Sequence, residues 1–190
     1  MPTLVVILGS VTPPGRSSQA LDYLLNVARE TDPVLTNIGL NLADYRIAFA
    51  DGRPPEAFAD DTAKIVTQVQ GADAVILLSP VYRASLSGSL KNLLDHLPLE
   101  ALRDKPCGIV AIGATPHHYL GVDRHLRDIL AWFGALTAPT SVYLTSSDFT
   151  NGQPTEAARH ELAELACSVL RLRSAVAGIS WGPTPLAGRR

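Results

Sequence analysis

Three short segments carry residue types suited to holding a flat, anionic ligand. Residues 9–18, Gly-Ser-Val-Thr-Pro-Pro-Gly-Arg-Ser-Ser, offer hydroxyls at Ser10, Thr12, Ser17 and Ser18 and a cation at Arg16. Residues 79–88 offer Pro80, Val81, an aromatic face at Tyr82 and a cation at Arg83, followed by the small residues Ser85, Ser87 and Gly88. Residues 113–118 bring Gly113, Ala114, Thr115, Pro116, His117 and His118. A hydroxyl-rich loop that opens a helix suits a terminal monophosphate, because helix N-termini present unpaired N–H groups and the positive end of the dipole. The first loop reads equally well as a capped helix behind a polar loop. The second reads either as a ligand wall or as an ordinary strand-to-helix loop with Tyr82 on the surface.

Other chemistries find less support. The first loop lacks Gly-Lys-Ser/Thr and G-x-G-x-x-G, which argues against a P-loop and a dinucleotide fingerprint. There is no G-x-S-x-G nucleophile motif. Gly9-Ser10 stands where a receiver domain would carry acidic residues. His117 and His118 are adjacent, and consecutive side chains rarely converge on one ion, so His118 is read as a polar group near the ligand rather than a metal ligand. Lys91 and Asp95 have the spacing of a solvated helix-face ion pair.

The elements that must position these loops alternate along the chain. Thr3 to Leu8 is a β-branched apolar run and reads as a buried strand, with a helix following from Ser17. Val34 to Leu40 gives a second strand, followed by a long connection, Asn41 to Pro55, that Tyr45 and Phe49 are expected to anchor. Glu56 to Gln70 reads as a helix and Ala74 to Leu78 as a strand covered on both faces. Ser87 to Leu97 is the next helix, then come a strand at Cys107 to Ile112 and a helix at Leu120 to Gly134. Ala135 to Leu144 is the fifth strand, residues 146–153 a polar loop, and Pro154 to Arg173 the last helix. Residues 178–190 read as a mobile tail after a single domain at 1–177.

This alternation predicts an α/β fold, a three-layer sandwich around a five-stranded parallel sheet in the flavodoxin-like order 2-1-3-4-5. Ligands of such sheets bind at the carboxyl ends of the strands, near the switch between strands one and three, where the three loops above would meet. A net charge of -2 and a pI near 6.2 give no support to nucleic-acid or anionic-membrane binding through bulk electrostatics. No apolar run approaches the ~20 residues of a membrane span, and the N-terminus reads as a strand rather than a signal peptide, so the cytoplasm is the expected location. Of the two cysteines, Cys107 reads as a buried small hydrophobe.

Taken together, Gly9-Ser10 with Arg16-Ser17-Ser18, Ser79-Pro80-Val81-Tyr82, Ser87-Gly88 and Leu90-Lys91-Asn92-Leu93-Leu94-Asp95 resemble the NADPH-dependent FMN reductase family. The resemblance runs from residue 3 to about residue 170. It is nearest to the alkanesulfonate-type branch, which supplies reduced FMN to a partner monooxygenase. It implies FMN and NADPH or NADH as cofactors, with Ser10, Arg16, Ser17 and Ser18 at the FMN phosphate. Pro80, Val81, Tyr82, Arg83 and Ser85 would run along the ribityl chain and ring, with Gly113, Ala114 and Thr115 at the pyrimidine edge. Two positions depart from the pattern: Thr12 stands where many members have arginine, and Arg124 where the branch often has a tyrosine.

The implied reaction is hydride transfer from nicotinamide to flavin N5, with no side chain acting as acid or base. Backbone N–H groups of residues 113–115 are expected to stabilise the reduced flavin, and Arg83 and Arg124 to meet the nicotinamide cofactor's phosphates. A homodimer or homotetramer is expected through the helix that carries Trp132 and Phe133. The competing functions are a reductase of quinones, azo dyes or metal oxyanions that retains its FMN, and an FMN-binding electron-transfer module without NAD(P)H activity.

Overall fold

The computed structural model describes residues 1–12 and 14–183. Among these residues five α-helices enclose a parallel sheet. Strand β1 (Thr3–Leu8) has β2 (Thr36–Asn41) on one side and β3 (Ala74–Pro80) on the other. Strand β4 (Pro106–Ile112) follows β3, and the two short strands β5 (Leu136–Thr137) and β6 (Val142–Leu144) both pair with β4. The order is therefore the flavodoxin-like 2-1-3-4-5, as the alternation predicts.

Side-chain alternation along the strands divides the core in two. Val5, Ile7, Val75, Leu77, Cys107 and Ile109 pack beneath α2 (Thr62–Gln70), α3 (Gly88–His96) and α4 (Tyr119–Phe133). Leu4, Val6, Leu8, Ile76 and Leu78 pack beneath α1 (Arg16–Thr31) and α5 (Glu156–Val176). With both faces covered, a strand needs apolar residues throughout, which is why Ala74 to Leu78 is an unbroken run. Cys107 is fully buried, and that burial pushes its thiol up to about 12.

Several boundaries differ from expectation. The fifth strand is broken: Ala138 N–H makes the last β5 bond, to Cys107 O at 2.8 Å, residues 139–141 then leave the ladder before β6, and Pro139 in that gap has no N–H to give it. The Pro139 carbonyl instead accepts from Arg127 at 3.0 Å. Residues 149–154 are not a plain loop but a hairpin, β7 (Phe149–Thr150) with β8 (Gln153–Pro154). Asn151 (φ 51°) and Gly152 (φ 79°) supply its turn, the residue pair such a turn prefers. Pro154 thus belongs to a strand, and α5 is capped by Thr155, whose Oγ1 accepts from Ala158 N–H at 3.3 Å.

Helix α2 starts at Thr62, six residues later than its apolar pattern suggests. The Asp60 carboxylate accepts from Ala48 and Thr62 N–H at 2.7 and 2.9 Å, and Asp61 accepts from Arg46 N–H at 2.9 Å. These bonds hold the preceding segment as a loop. Tyr45 packs against the core edge, but Phe49 is 85% exposed and anchors nothing. The anchor is on α3: Asn92 grips Ala48 O and Ala50 N–H, each at 2.9 Å, and His96 Nε2 lies 2.8 Å from Ala48 O. Of the expected mobile tail, residues 184–190 lie outside the described residues; before them, Trp181 N–H donates to Asp104 at 3.1 Å. Among the described residues no helix is long and apolar enough to cross a membrane.

Candidate functional site

At the carboxyl edge of the sheet, the loops after β1, β3 and β4 surround a cavity of about 350 Å³. Its walls are Ser10, Thr12, Gly15, Arg16, Ser17 and Ser18 from the first loop, Pro80, Val81 and Tyr82 from the second, and Ile112, Gly113 and Ala114 from the third. Residues about 60 and 100 positions apart are neighbours because β1, β3 and β4 are adjacent and parallel, in register through Leu8–Leu78 and Pro80–Ile112.

The first wall is built for an anion. Gly15 is the N-cap of α1 and has no side chain with which to cap it, so the leading N–H groups of the helix stay available. Ser10 is buried and its hydroxyl lies 2.8 Å from that of Thr12. Arg16 is the cation of the lining, and no carboxylate of the described residues lines the cavity to oppose it.

The first and second loops are fastened together from below. The Ser87 hydroxyl donates to Gly9 O and accepts from Leu90 N–H at 3.1 Å, so one side chain caps α3 and ties it to the first loop. Ser89 also donates to Gly9 O, at 2.9 Å, and the Ser79 hydroxyl accepts from Ser87 N–H at 3.0 Å. A β-carbon on Gly9 would stand 2.5 Å from Leu90 Cβ, so glycine is needed for α3 to come this close.

The third wall rests on a residue that spacing does not reveal. Tyr143, on β6, reaches over Gly113 and donates its hydroxyl to Thr115 O at 2.6 Å. Burial pushes its phenol above the usual value. Gly113 N–H is given to Leu144 O at 2.9 Å, so this group, contrary to expectation, is not free to stabilise a reduced ligand.

Ten of the residues singled out in the sequence therefore share one cavity: Ser10, Thr12, Arg16, Ser17, Ser18, Pro80, Val81, Tyr82, Gly113 and Ala114. Arg83, Ser85, Thr115 and His118 do not line it. Ser85 spends its hydroxyl on His125 Nδ1 at 2.7 Å, and Thr115 Oγ1 faces His117 Nδ1 at 3.2 Å. Gly15 and Ile112 join the lining unannounced. Tyr143 is found only through sheet pairing, which sets it beside Ala111. Among the described residues no group of three or more His, Cys, Asp or Glu side chains is placed to hold a metal ion.

Residues 2–150 match the profile of a family described as NADPH-dependent FMN reductase. The chain is 37% identical over 135 residues to an NAD(P)H-dependent FAD/FMN reductase of Geobacillus thermodenitrificans, covering 70% of this chain and 73% of the relative. It is 29% identical over 175 residues to an FMN reductase (NADPH) of Pseudomonas aeruginosa, covering 90% and 94%. Among solved structures, an apo NADH:FMN oxidoreductase superposes with a TM-score of 0.75 at 23% identity, over 100% of this chain and 97% of that one.

Proposed function

The chain belongs to the NADPH-dependent FMN reductase family, and from that premise we propose that it passes a hydride from nicotinamide to flavin N5 and supplies the reduced FMN to a partner monooxygenase. The observation that carries this reading is the meeting of Ser10, Thr12, Arg16, Ser17 and Ser18 with Pro80, Val81 and Tyr82 around one cavity.

These residues fit FMN. The uncapped start of α1, with Arg16 and the four hydroxyls, suits a dianionic phosphate. Pro80, Val81, Tyr82, Gly113 and Ala114 form walls with an aromatic and no charged side chain, suited to the ribityl chain and ring. FMN, when bound, supplies the electron-accepting chemistry. The protein's part is to fix the phosphate at the first loop, to hold the ring against residues 80–82 and to keep the loops from spreading, which the Ser87 and Tyr143 hydrogen bonds do. The lining carries no carboxylate or imidazole among the described residues, in keeping with a step that needs no proton transfer from a side chain.

Arg83 and Arg124 are both exposed, and in this reading they meet the phosphates of NADPH or NADH. Copies of the chain associate through α4, the helix that carries Trp132 and Phe133, as a homodimer or homotetramer. A groove of about 440 Å³ beside that helix supports the reading: Leu94, Leu97, Leu99, Ile129, Trp132 and Phe133 line it together with the charged Lys91, Asp95 and Asp128, and Trp132 is 55% exposed.

The test is NADPH and NADH oxidation at varied free FMN, with anaerobic mixing to follow the flavin. Saturable dependence on free FMN and bleaching by the nicotinamide cofactor are expected. Bleaching of a flavin that stays with the protein and needs no added FMN would favour the cofactor-retaining reductase. FMN binding without bleaching would leave only an electron-transfer module.

A further inference from the structure

The turn that carries Tyr82 is held in a conformation its own residues disfavour. Tyr82 and Ser85 exchange backbone hydrogen bonds at 2.9 and 3.0 Å, so Arg83 and Ala84 are the two central residues of a tight hairpin turn. Both have positive φ, 50° and 60°. Such a turn prefers Asn-Gly, and this chain uses Asn151-Gly152 in the β7–β8 turn, where φ is also positive at both positions. Arginine and alanine carry a β-carbon that crowds the backbone there, so something outside the turn must impose the shape.

Helix α4 is what presses on it. A β-carbon on Gly121 would run into Ala84 C and O, so the helix backbone lies directly against the turn. One helical turn further on, His125 Nδ1 is 2.7 Å from Ser85 Oγ. A hydroxyl both donates and accepts, so this pair persists whether or not Nδ1 carries a proton. The residues before the turn need no such support, because Val81 N–H is bonded to Ile112 O at 2.9 Å as a continuation of the sheet.

We infer that Gly121 and His125 are positioning residues that brace the strained Tyr82–Ser85 turn and thereby set the docking of the nicotinamide cofactor more than that of FMN. The inference rests on the reductase reading for its functional part. Of the braced turn Tyr82 alone lines the FMN cavity, whose other lining residues lie outside the turn, whereas Arg83 and Ala84 do not line it and are exposed, free to meet a second ligand that approaches a flavin already seated.

The variants are His125→Ala, His125→Asn, Ala84→Gly and the double variant Ala84→Gly/His125→Ala, in the full chain. His125→Ala is expected to raise the KM for NADPH or NADH about tenfold, to change the FMN Kd less than twofold, and to speed amide exchange at residues 82–85. His125→Asn, which keeps a polar atom near the Nδ1 position, should recover most of the loss. Glycine at position 84 relaxes the turn, so loss of His125 in the Ala84→Gly background should cost less than twofold. A KM and an exchange rate in His125→Ala within twofold of the starting protein would overturn the brace. So would an equal loss in both backgrounds, since that means His125 acts on the ligand and not through the turn. If the unmodified protein oxidises neither nicotinamide cofactor with FMN, the reductase reading fails, while exchange at 82–85 still decides whether the brace exists.

Discussion

The hydroxyl of Tyr143 occupies the space beside Gly113 that any other residue's β-carbon would need. The two residues are thirty positions apart and meet because β6 pairs with β4. The same hydroxyl holds the third loop closed by donating to Thr115 O at 2.6 Å, so one contact shapes the wall and fixes the loop.

Gly113→Ala should therefore overpack the wall and destabilise the fold by about 1–3 kcal/mol. Tyr143→Phe should lose about 0.5–1.5 kcal/mol, the worth of one hydrogen bond. Because removing the hydroxyl also frees space, Gly113→Ala/Tyr143→Phe should be less destabilised than the two losses added. Urea unfolding of the four proteins measures this; strict additivity would mean the residues do not share the space.

Arg16 is the cation of the cavity wall, at the uncapped start of α1. Arg16→Ala should weaken FMN binding roughly tenfold to a hundredfold, the range for a hydrogen bond to a charged group. Riboflavin, which lacks the phosphate, should bind both proteins alike. Fluorescence titration with the two flavins checks this; equal losses for both would place the phosphate elsewhere.

Ser87 is 1% exposed and joins α3 to the first loop through Gly9 O while capping its own helix at Leu90 N–H. Ser87→Ala should cost about 1–2 kcal/mol, since it removes a cap and leaves a buried N–H without its partner. Gly9 O keeps its bond from Ser89, which limits the loss. Thermal unfolding with and without saturating FMN would show it, and an unchanged midpoint would refute the dual role.

The Asp60 carboxyl is held below its usual value, first by the hydrogen bond to the Thr62 side chain and then by the N–H groups of Thr62 and Ala48 and the charge of His96. A lowered folded-state pKa means that folding favours the ionised form. Its contribution is complete above the unfolded value of about 3.9 and is lost as pH falls through the folded value. Asp60→Asn should thus be less stable than the parent near neutral pH, by a small amount at so exposed a position, and the gap should close below about pH 4. A gap that stays constant down to pH 2 would show that charge plays no part.

Sequence alone determined the layering, the sheet order and most of the cavity wall. Unbroken apolar strands such as Ala74 to Leu78 can be satisfied only by burial on both faces, and parallel strands joined by helices put every strand-to-helix loop on one edge. That logic brings Ser10, Arg16, Pro80, Tyr82 and Gly113 together before any coordinate is known. Periodicity also placed the helix cores, but not the ends of α2 and α5, because carboxylates at Asp60 and Asp61 and a hairpin turn at Asn151-Gly152 compete locally with helix. What only the tertiary structure decided is which polar groups remain for a ligand. Ser85 is spent on His125, Ser87 on Gly9, and Gly113 N–H on Leu144, all partners brought close by packing rather than by sequence spacing. A hydroxyl's chemistry is legible in its residue type; whether it is free depends on distances of a few ångströms that the fold sets.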